Sequence, residues 1–373
     1  MTAALRMRAA TYVLAGVALA CGPVSASPLA QEAVQDAVPQ AARETVQQAL
    51  QPSVSMPAQV RADAVEEVQA PPSASPAPSP SPSPSLPALR ERGVLFKVTP
   101  PQPAPLPADM AVRTEFAPPA PSYLLGTIHF GTPQEQGIDY AVLAPLLEGA
   151  GAFANEVDVD SPWRPEYDGY RWLPLETPLE SMVGQDALAL AQALLPAVPR
   201  QDLQRMKPWA VLALLEARGE NASEASMDTR LQRMAAAAGK RMLHLETLEQ
   251  QLQALDCVPA AEHAQVLAER LRKSWVLRIE SAEAMAFYRS RNLEAWLASI
   301  NRMDGLDAPA REVEQRARLC LLEERNARWI GPLETLFQDG GGFVAVGAVH
   351  LVGPDGLIAR LRRDGYTVEA VPL

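Results

Sequence analysis

The chain has 373 residues, 48% hydrophobic and 21% charged, enough for a sizeable core, but its 35 prolines crowd before residue 122 and shorten the globular part. A formal charge of −11 argues against nucleic acid or an anionic membrane surface as the main partner.

Residues 1–26 begin with Arg6 and Arg8, run through an apolar stretch from Ala9 to Ala20 and end in small residues, the layout of a secretory signal peptide. The protein is therefore expected to be exported, periplasmic or associated with the cell envelope. Two cleavage sites compete: Val24-Ser25-Ala26 offers small-x-small before Ser27, while Leu19-Ala20-Cys21 resembles a lipoprotein box that would acylate Cys21. Ala18 stands where such a box usually carries Leu, which favours ordinary cleavage and leaves a lipid anchor at Cys21 as the alternative. The apolar stretch is too short for a comfortable membrane span. Residues 27–91, dominated by Pro, Ala, Ser and Gln, offer too few large apolar side chains to offset ordering entropy and read as a disordered, extended linker.

Residues 92–373 are expected to form one α/β domain with a mixed, partly parallel central sheet and a large helical insertion. The unit opens on a short strand, Gly93-Val94-Leu95-Phe96-Lys97-Val98, and continues past a Pro-rich loop to a second, Tyr123-Leu124-Leu125-Gly126-Thr127-Ile128-His129. A helix over residues 139–149 follows, capped by Asp139, with Val142, Leu143, Leu146 and Leu147 as its apolar face and Gly149 as its stop. Residues 151–158, with Glu156 and Asp158 at their end, form the next strand. Trp163, Tyr167, Tyr170 and Trp172 stand among prolines, either as a lip over a substrate site or as aromatic cover on a core edge. Residues 186–218 are helical in pattern, and Pro208 suits the first turn of one helix. Asp228 reads as a helix N-cap, residues 241–246 as a strand and residues 247–338 as mostly helix. The chain closes on the apolar strand Phe343-Val344-Ala345-Val346-Gly347, a helix near 357–363 and a strand over 366–371, a βαβ ending that makes the sheet partly parallel. Cys257 and Cys320 remain once Cys21 is removed or acylated. In an oxidising compartment a bridge between them is expected, the alternative being two separate small buried side chains.

Candidate chemistry gathers at strand ends, where open α/β folds place their ligands. His129 and His350 each close an apolar run in the phrase Gly-x-x-His. One such His is ordinarily structural, but two of them with a carboxylate at a third strand end supply the two-His, one-Glu donor set of hydrolytic metal sites. His129, Glu156 and His350 are thus the candidate metal ligands. Glu156 and Asp158 alternate along one strand and should share a face, so that one ligates while the other orients a His or takes a proton. Glu246 ends another strand and is the next candidate base, or else favours the first turn of the following helix. Arg325 is a candidate for oxyanion stabilisation, with a helix Arg paired to a Glu as the alternative. His244 and His263 lack the strand-end Gly and read as structural or exposed.

Tyr-Leu-Leu-Gly-Thr-Ile-His-Phe-Gly at 123–131, Asn-Glu-Val-Asp at 155–158, Lys-Pro-Trp at 207–209, Leu-Glu-Thr at 245–247, Arg-Asn at 325–326 and Val-Gly-Ala-Val-His-Leu-Val-Gly-Pro-Asp-Gly at 346–356 together resemble the TraB/GumN family. That family is related to the Tiki metalloproteases and is characterised by two Gly-x-x-His motifs and an essential Glu. The resemblance implies an α/β domain with a divalent metal, its identity open among Mn, Co and Zn, held by His129, Glu156 and His350 with Arg325 nearby. Tiki proteins cleave peptide bonds near the N-terminus of a secreted signalling protein, whereas some GumN-like members carry a gene-neighbourhood association with exopolysaccharide. The expected function is an exported, metal-dependent, peptidase-like hydrolase acting on a peptide or other small extracytoplasmic substrate. A non-catalytic binding protein for a peptide pheromone or polysaccharide is one alternative. The other is a metal-free esterase-like hydrolase with His129 or His350 as general base, which the wider resemblance to erythromycin-esterase-like folds permits.

Overall fold

Six short runs form the strands β1 (Leu95–Thr99), β2 (Ser122–Thr127), β3 (Ala152–Asn155), β4 (Arg241–His244), β5 (Gly342–Gly347) and β6 (Thr367–Val371). They make one sheet in the order β4-β3-β5-β2-β1-β6. The computed structural model describes residues 92–101, 120–217 and 226–373. The expected signal peptide, the linker, the Cys21 anchor and most of the Pro-rich loop before β2 lie outside the described residues.

The strands β4, β3, β5 and β2 run parallel, with Asn155 opposite both His244 and Ala345, and Thr127 opposite Gly347. Only β1 is reversed, pairing antiparallel with β2 on one side and β6 on the other. A parallel centre must be covered on both faces, and β3 and β5 are buried along their whole lengths. Apolar residues three to four apart supply the cover: Leu143 and Leu147 from one helix, Met227, Leu231 and Ala235 from another, and Leu333, Leu336 and Phe337 from a third. Phe153 and Phe343 stack across β3 and β5 with ring centroids 6.3 Å apart. A second core, including Leu188, Leu203, Val211, Leu252, Val266 and Leu267, holds together the helices inserted after β3 and after β4.

The expected mixed sheet with a large helical insertion is therefore what the chain forms. Asp139 caps the helix Tyr140–Gly149, accepting from the Ala141 amide at 2.8 Å, and Pro208 opens the helix Pro208–Glu216. Cys257 and Cys320 are joined by a disulfide. No helix among the described residues is long and apolar enough to cross a membrane.

Three local expectations are corrected. β3 stops at Asn155, three residues earlier than expected, because Asn155 turns its side chain to Gln232 (2.8 Å) and His244 (2.6 Å). Gln232 also accepts from the Val159 amide at 3.0 Å, which draws the chain toward the helix Met227–Ala237 instead of along the sheet. Asp228 is not the cap of that helix, since Ser226 is, with its hydroxyl accepting from the Thr229 amide. The last strand runs in the same direction as β5 but pairs with β1 at the sheet edge, with β2 and β1 lying between it and β5. As for the aromatic segment, Tyr167 is buried in the second core, and Trp163, Tyr170 and Trp172 pack against it. Trp163 and Trp172 also flank the Arg171 guanidinium, at 5.8 and 4.8 Å, so the segment is mainly core cover.

Candidate functional site

The four parallel strands end side by side, and the residues just past those ends carry the site. Glu246 follows β4, Glu156 follows β3, Gly347 closes β5 with His350 one short 3₁₀ turn later, and His129 follows β2. This is the carboxyl edge of an open parallel sheet.

His129 is partly exposed, and its Nδ1 lies 2.7 Å from Asp228 Oδ2. A carboxylate only accepts, so Nδ1 carries the proton and Nε2 presents its lone pair. Asp228 is fixed in turn by the Thr127 hydroxyl, which donates to Oδ1 at 2.8 Å. Burial works to lower the His129 pKa, but the Asp228 carboxylate and, behind it, Glu156 outweigh that and raise it above the ordinary value.

His350 is buried, and its ring sits 4.6 Å from that of Trp329. Asn326 Nδ2 donates to the carbonyls of His350 and Asp355, at 3.2 and 3.1 Å, which orients the amide so that its Oδ1 accepts from His350 Nδ1 at 2.8 Å. The remaining lone pair, on Nε2, meets Arg325 Nη1 at 3.2 Å. Burial and the adjacent guanidinium push the His350 pKa down to about 3, so the ring is neutral.

Arg325 is the centre of the cluster. Its Nε and Nη2 reach Glu246 at 3.1 and 2.5 Å, and Nη2 also reaches Glu156 Oε2 at 2.6 Å. Nη1 donates to the Leu321 carbonyl at 3.3 Å and faces His350. A guanidinium has five N–H groups, and these contacts occupy all of them. Glu156 Oε1 accepts from the Gly347 amide at 2.7 Å. Burial works to raise the Glu156 pKa, yet Arg325, the two imidazoles and that amide together bring it down to about 2.

Of the residues singled out from sequence, His129, Glu156, Glu246, Arg325 and His350 come together and Asp158 does not. Asp158 lies past the strand end, where its Oδ1 accepts from Gln232 at 2.6 Å and from the Asp160 amide at 3.1 Å. With His244 and Glu246 it lines a separate cleft. Two partners were not foreseen. Asp228 looked like a cap because acidic residues are common in a first helical turn. Asn326 carried a usable signal: Asn is a poor helix former, so an Asn inside a helix beside an Arg asks for a reason.

His129, Gly347, His350 and Arg325 line a cavity of about 270 Å³ whose other lining includes the apolar Phe130, Leu277, Trp296, Ile300 and Leu321 and the charged Glu216, Arg270, Glu280, Glu314 and Arg318. The two motif glycines serve different ends. A Cβ on Gly126 would meet the Cα and Cβ of Ala348 and Leu351 Cδ1, all at 2.9 Å, so Gly126 permits close packing of β2 against the turn after β5. A Cβ on Gly347 would instead stand 3.2 Å from Glu156 Oε1, 3.4 Å from His350 Cδ2 and 3.5 Å from His129 Nε2, filling the space those three side chains surround.

Among the described residues no three His, Cys, Asp or Glu side chains stand close enough to hold one ion as placed. The chemistry of the donors nevertheless suits a divalent cation. Both imidazoles have Nδ1 tied to an outer partner, the arrangement that orients metal-binding histidines. Two carboxylates, Glu156 and Glu246, face one buried guanidinium, with Arg328 half-exposed at 3.8 Å from Glu246, and a third, Asp228, backs His129. The Arg325 contact on His350 Nε2 is what a cation would have to displace.

Fold and site together define an α/β protein whose parallel strand ends carry a buried His, Glu and Arg cluster beside a cavity of mixed apolar and charged lining. The chain belongs to the TraB/PrgY/gumN family, whose model matches residues 112–370. No curated protein and no solved structure matches the chain.

Proposed function

We propose that this chain is an exported, metal-dependent hydrolase of the peptidase kind, with a divalent ion held by His129, Glu156 and His350. The observation that carries the reading is the space over Gly347, kept open by the absent side chain and bordered by one carboxylate and two imidazoles whose outer nitrogens are already tied. When bound, such an ion supplies Lewis acidity at the scissile bond. Asp228 and Asn326 set the tautomers of the two histidines. Glu156, with its carboxyl held at about 2, stays ionised and suits ligation better than proton uptake. Arg325 has no N–H left for an oxyanion, so its role is to hold Glu156 and Glu246 in place, which revises the role expected from sequence. Glu246 opens on the separate cleft and Asp158 is tied to Gln232, so neither is placed as the base in the cavity. Leu277, Trp296, Ile300 and Leu321 in the lining suit a substrate with an apolar side chain beside the bond to be cut, and the charged Glu216, Arg270, Glu280, Glu314 and Arg318 in the same lining suit polar groups further along it. The export half of the reading rests on residues 1–26 and is supported by the Cys257–Cys320 disulfide, a bond that persists outside the cytoplasm.

One observation favours a second reading. His129 Nε2 has no protein partner among the described residues, lines the cavity and is backed by Asp228, which is how a general base is presented in a metal-free hydrolase. Metal analysis of the purified protein, followed by hydrolysis of a mixed peptide pool with and without chelator, separates the two. The metal reading expects bound ion and activity that the chelator abolishes and added ion restores. Activity that survives full chelation would replace it with the His129 reading, and no turnover under any condition would overturn both.

A further inference from the structure

The helix Ala308–Arg318 does not pass directly into the helix Glu324–Asp339. Between them lies a π-helical turn, Leu319–Glu323, with Cys320 inside it. A π turn holds one residue more than an α turn, has poorer hydrogen-bond geometry and concentrates at functional sites. Arg325 emerges immediately after this turn, Leu321 within it accepts from Arg325 Nη1, and Leu321 and Leu322 line the cavity. On the other side of the disulfide, Cys257 follows the helix Leu248–Leu255, whose N-cap Thr247 stands directly after Glu246. The segments 246–257 and 320–325 are thus tied twice, by the bond between Cys257 and Cys320 and by the Glu246–Arg325 contacts at 3.1 and 2.5 Å. Gln251, on the helix that leads to Cys257, also reaches toward Glu156 at 3.5 Å.

We propose that Cys257 and Cys320 are positioning residues for the site: their disulfide clamps the π turn and so fixes where the Arg325 guanidinium lies. Without the clamp the extra residue can be released, and each residue of helical register turns the side chains around it by about 100°. Cys257 is exposed, so the bond is open to a dithiol. Reduction breaks the Sγ–Sγ bond with two electrons and two protons, giving two cysteine thiols while the reductant closes its own disulfide. The clamp therefore also couples the site to the redox state of its surroundings. The proposal rests on the hydrolase reading only for what Arg325 serves.

Phenylglyoxal, which modifies arginine, tests the clamp on the full-length protein, with peptide mass spectrometry reporting each site. Arg270 is the internal control, being as buried as Arg325 but bonded to Glu280 and the Asp304 carbonyl. In the oxidised protein both should react slowly. After dithiol reduction, and in Cys257→Ser/Cys320→Ser, Arg325 should react at least about tenfold faster while Arg270 stays slow, as expected for a local opening. If the double variant fails to fold, reduction of the native protein gives the same reading. An Arg325 rate unchanged after verified reduction would overturn the proposal, and so would an Arg270 rate rising in step, because a purely structural bridge loosens both. The clamp stands on an Arg325-specific response even if no hydrolysis is ever found, so the two readings fail separately.

Discussion

In Gly126-Thr127-Ile128-His129 the imidazole is partly exposed, faces the carboxylate of Asp228 and keeps Nε2 open to the cavity. In Gly347-Ala348-Val349-His350 it is buried against Trp329, faces the amide of Asn326 and meets a guanidinium with Nε2. A carboxylate favours the charged ring and raises its pKa, while an amide with an adjacent cation in a buried setting favours the neutral one. The glycines differ as well, one admitting a backbone and the other leaving space among site groups. A repeated phrase thus repeats the donor atoms without repeating their environment, and the two halves should respond differently to the same substitution.

The largest difference is expected between His350→Ala and His129→Ala. Removing His350 empties a buried space beside Trp329 and strips a partner from both Asn326 and Arg325, which should cost about 3 kcal/mol. Removing His129 takes away one bond at a partly exposed position and should cost about 1 kcal/mol. Both variants should lose metal and hydrolysis. Denaturant unfolding with metal analysis checks this, and equal destabilisation would show that the environments are not as different as the geometry has them.

The glycines come next. Gly126→Ala drives a Cβ into Ala348 and Leu351 and should cost about 1–3 kcal/mol in stability, since neither backbone can move freely. Gly347→Ala meets only side-chain atoms at 3.2–3.5 Å, so the fold should tolerate it at less than about 1 kcal/mol while metal binding and turnover fall sharply. Thermal unfolding of both variants beside an activity assay decides. A stable, fully active Gly347→Ala would remove the observation on which the metal reading stands.

Much of this was legible in the sequence because strand ends are marked by where apolar runs stop. His129, Glu156, Glu246 and His350 follow from that alone, and so does the mixed sheet. What stayed hidden depended on side chains that act across the fold. Strand alternation puts Asp158 on the same face as Glu156, whereas the Asn155 and Gln232 side chains end the strand first. Asp228 has the sequence context of a cap, and only the tertiary approach of Thr127 and His129 reveals its use. Arg325 was legible as a site residue but not in its role, because the number of its N–H groups already spoken for depends on Leu321 one turn back and on three residues from three other segments.

Asp228→Asn sharpens the contrast from the His129 side. The Thr127 bond can survive, but the carboxylate that orients and strengthens His129 is gone, so metal affinity should fall about 10-fold to 100-fold, the usual range for an outer partner of a ligand. Stability should change little. Isothermal titration of the apo-protein with a divalent ion measures it, and unchanged affinity would show that Asp228 serves packing alone.

The pH dependence is the response most specific to the comparison. A His that is held neutral when folded takes up a proton only on unfolding, so His350, at about 3 folded against 6.5 unfolded, contributes stability that is present above pH 6.5 and lost as pH falls from there toward 3. Glu156 adds to this loss further down, between 4.5 and its folded value of about 2. His129 has the opposite sign. Its folded pKa lies above 6.5, so its contribution is present below pH 6.5 and is lost as pH rises through the folded value. The two histidines should therefore bend the stability profile of the metal-free protein on opposite sides of pH 6.5. Urea midpoints measured in chelator across that pH should show His350→Asn flattening the acid limb and His129→Asn flattening the other. Flattening of the same limb by both substitutions would mean that the two imidazoles share one electrostatic environment and that the difference between the motifs is only one of burial.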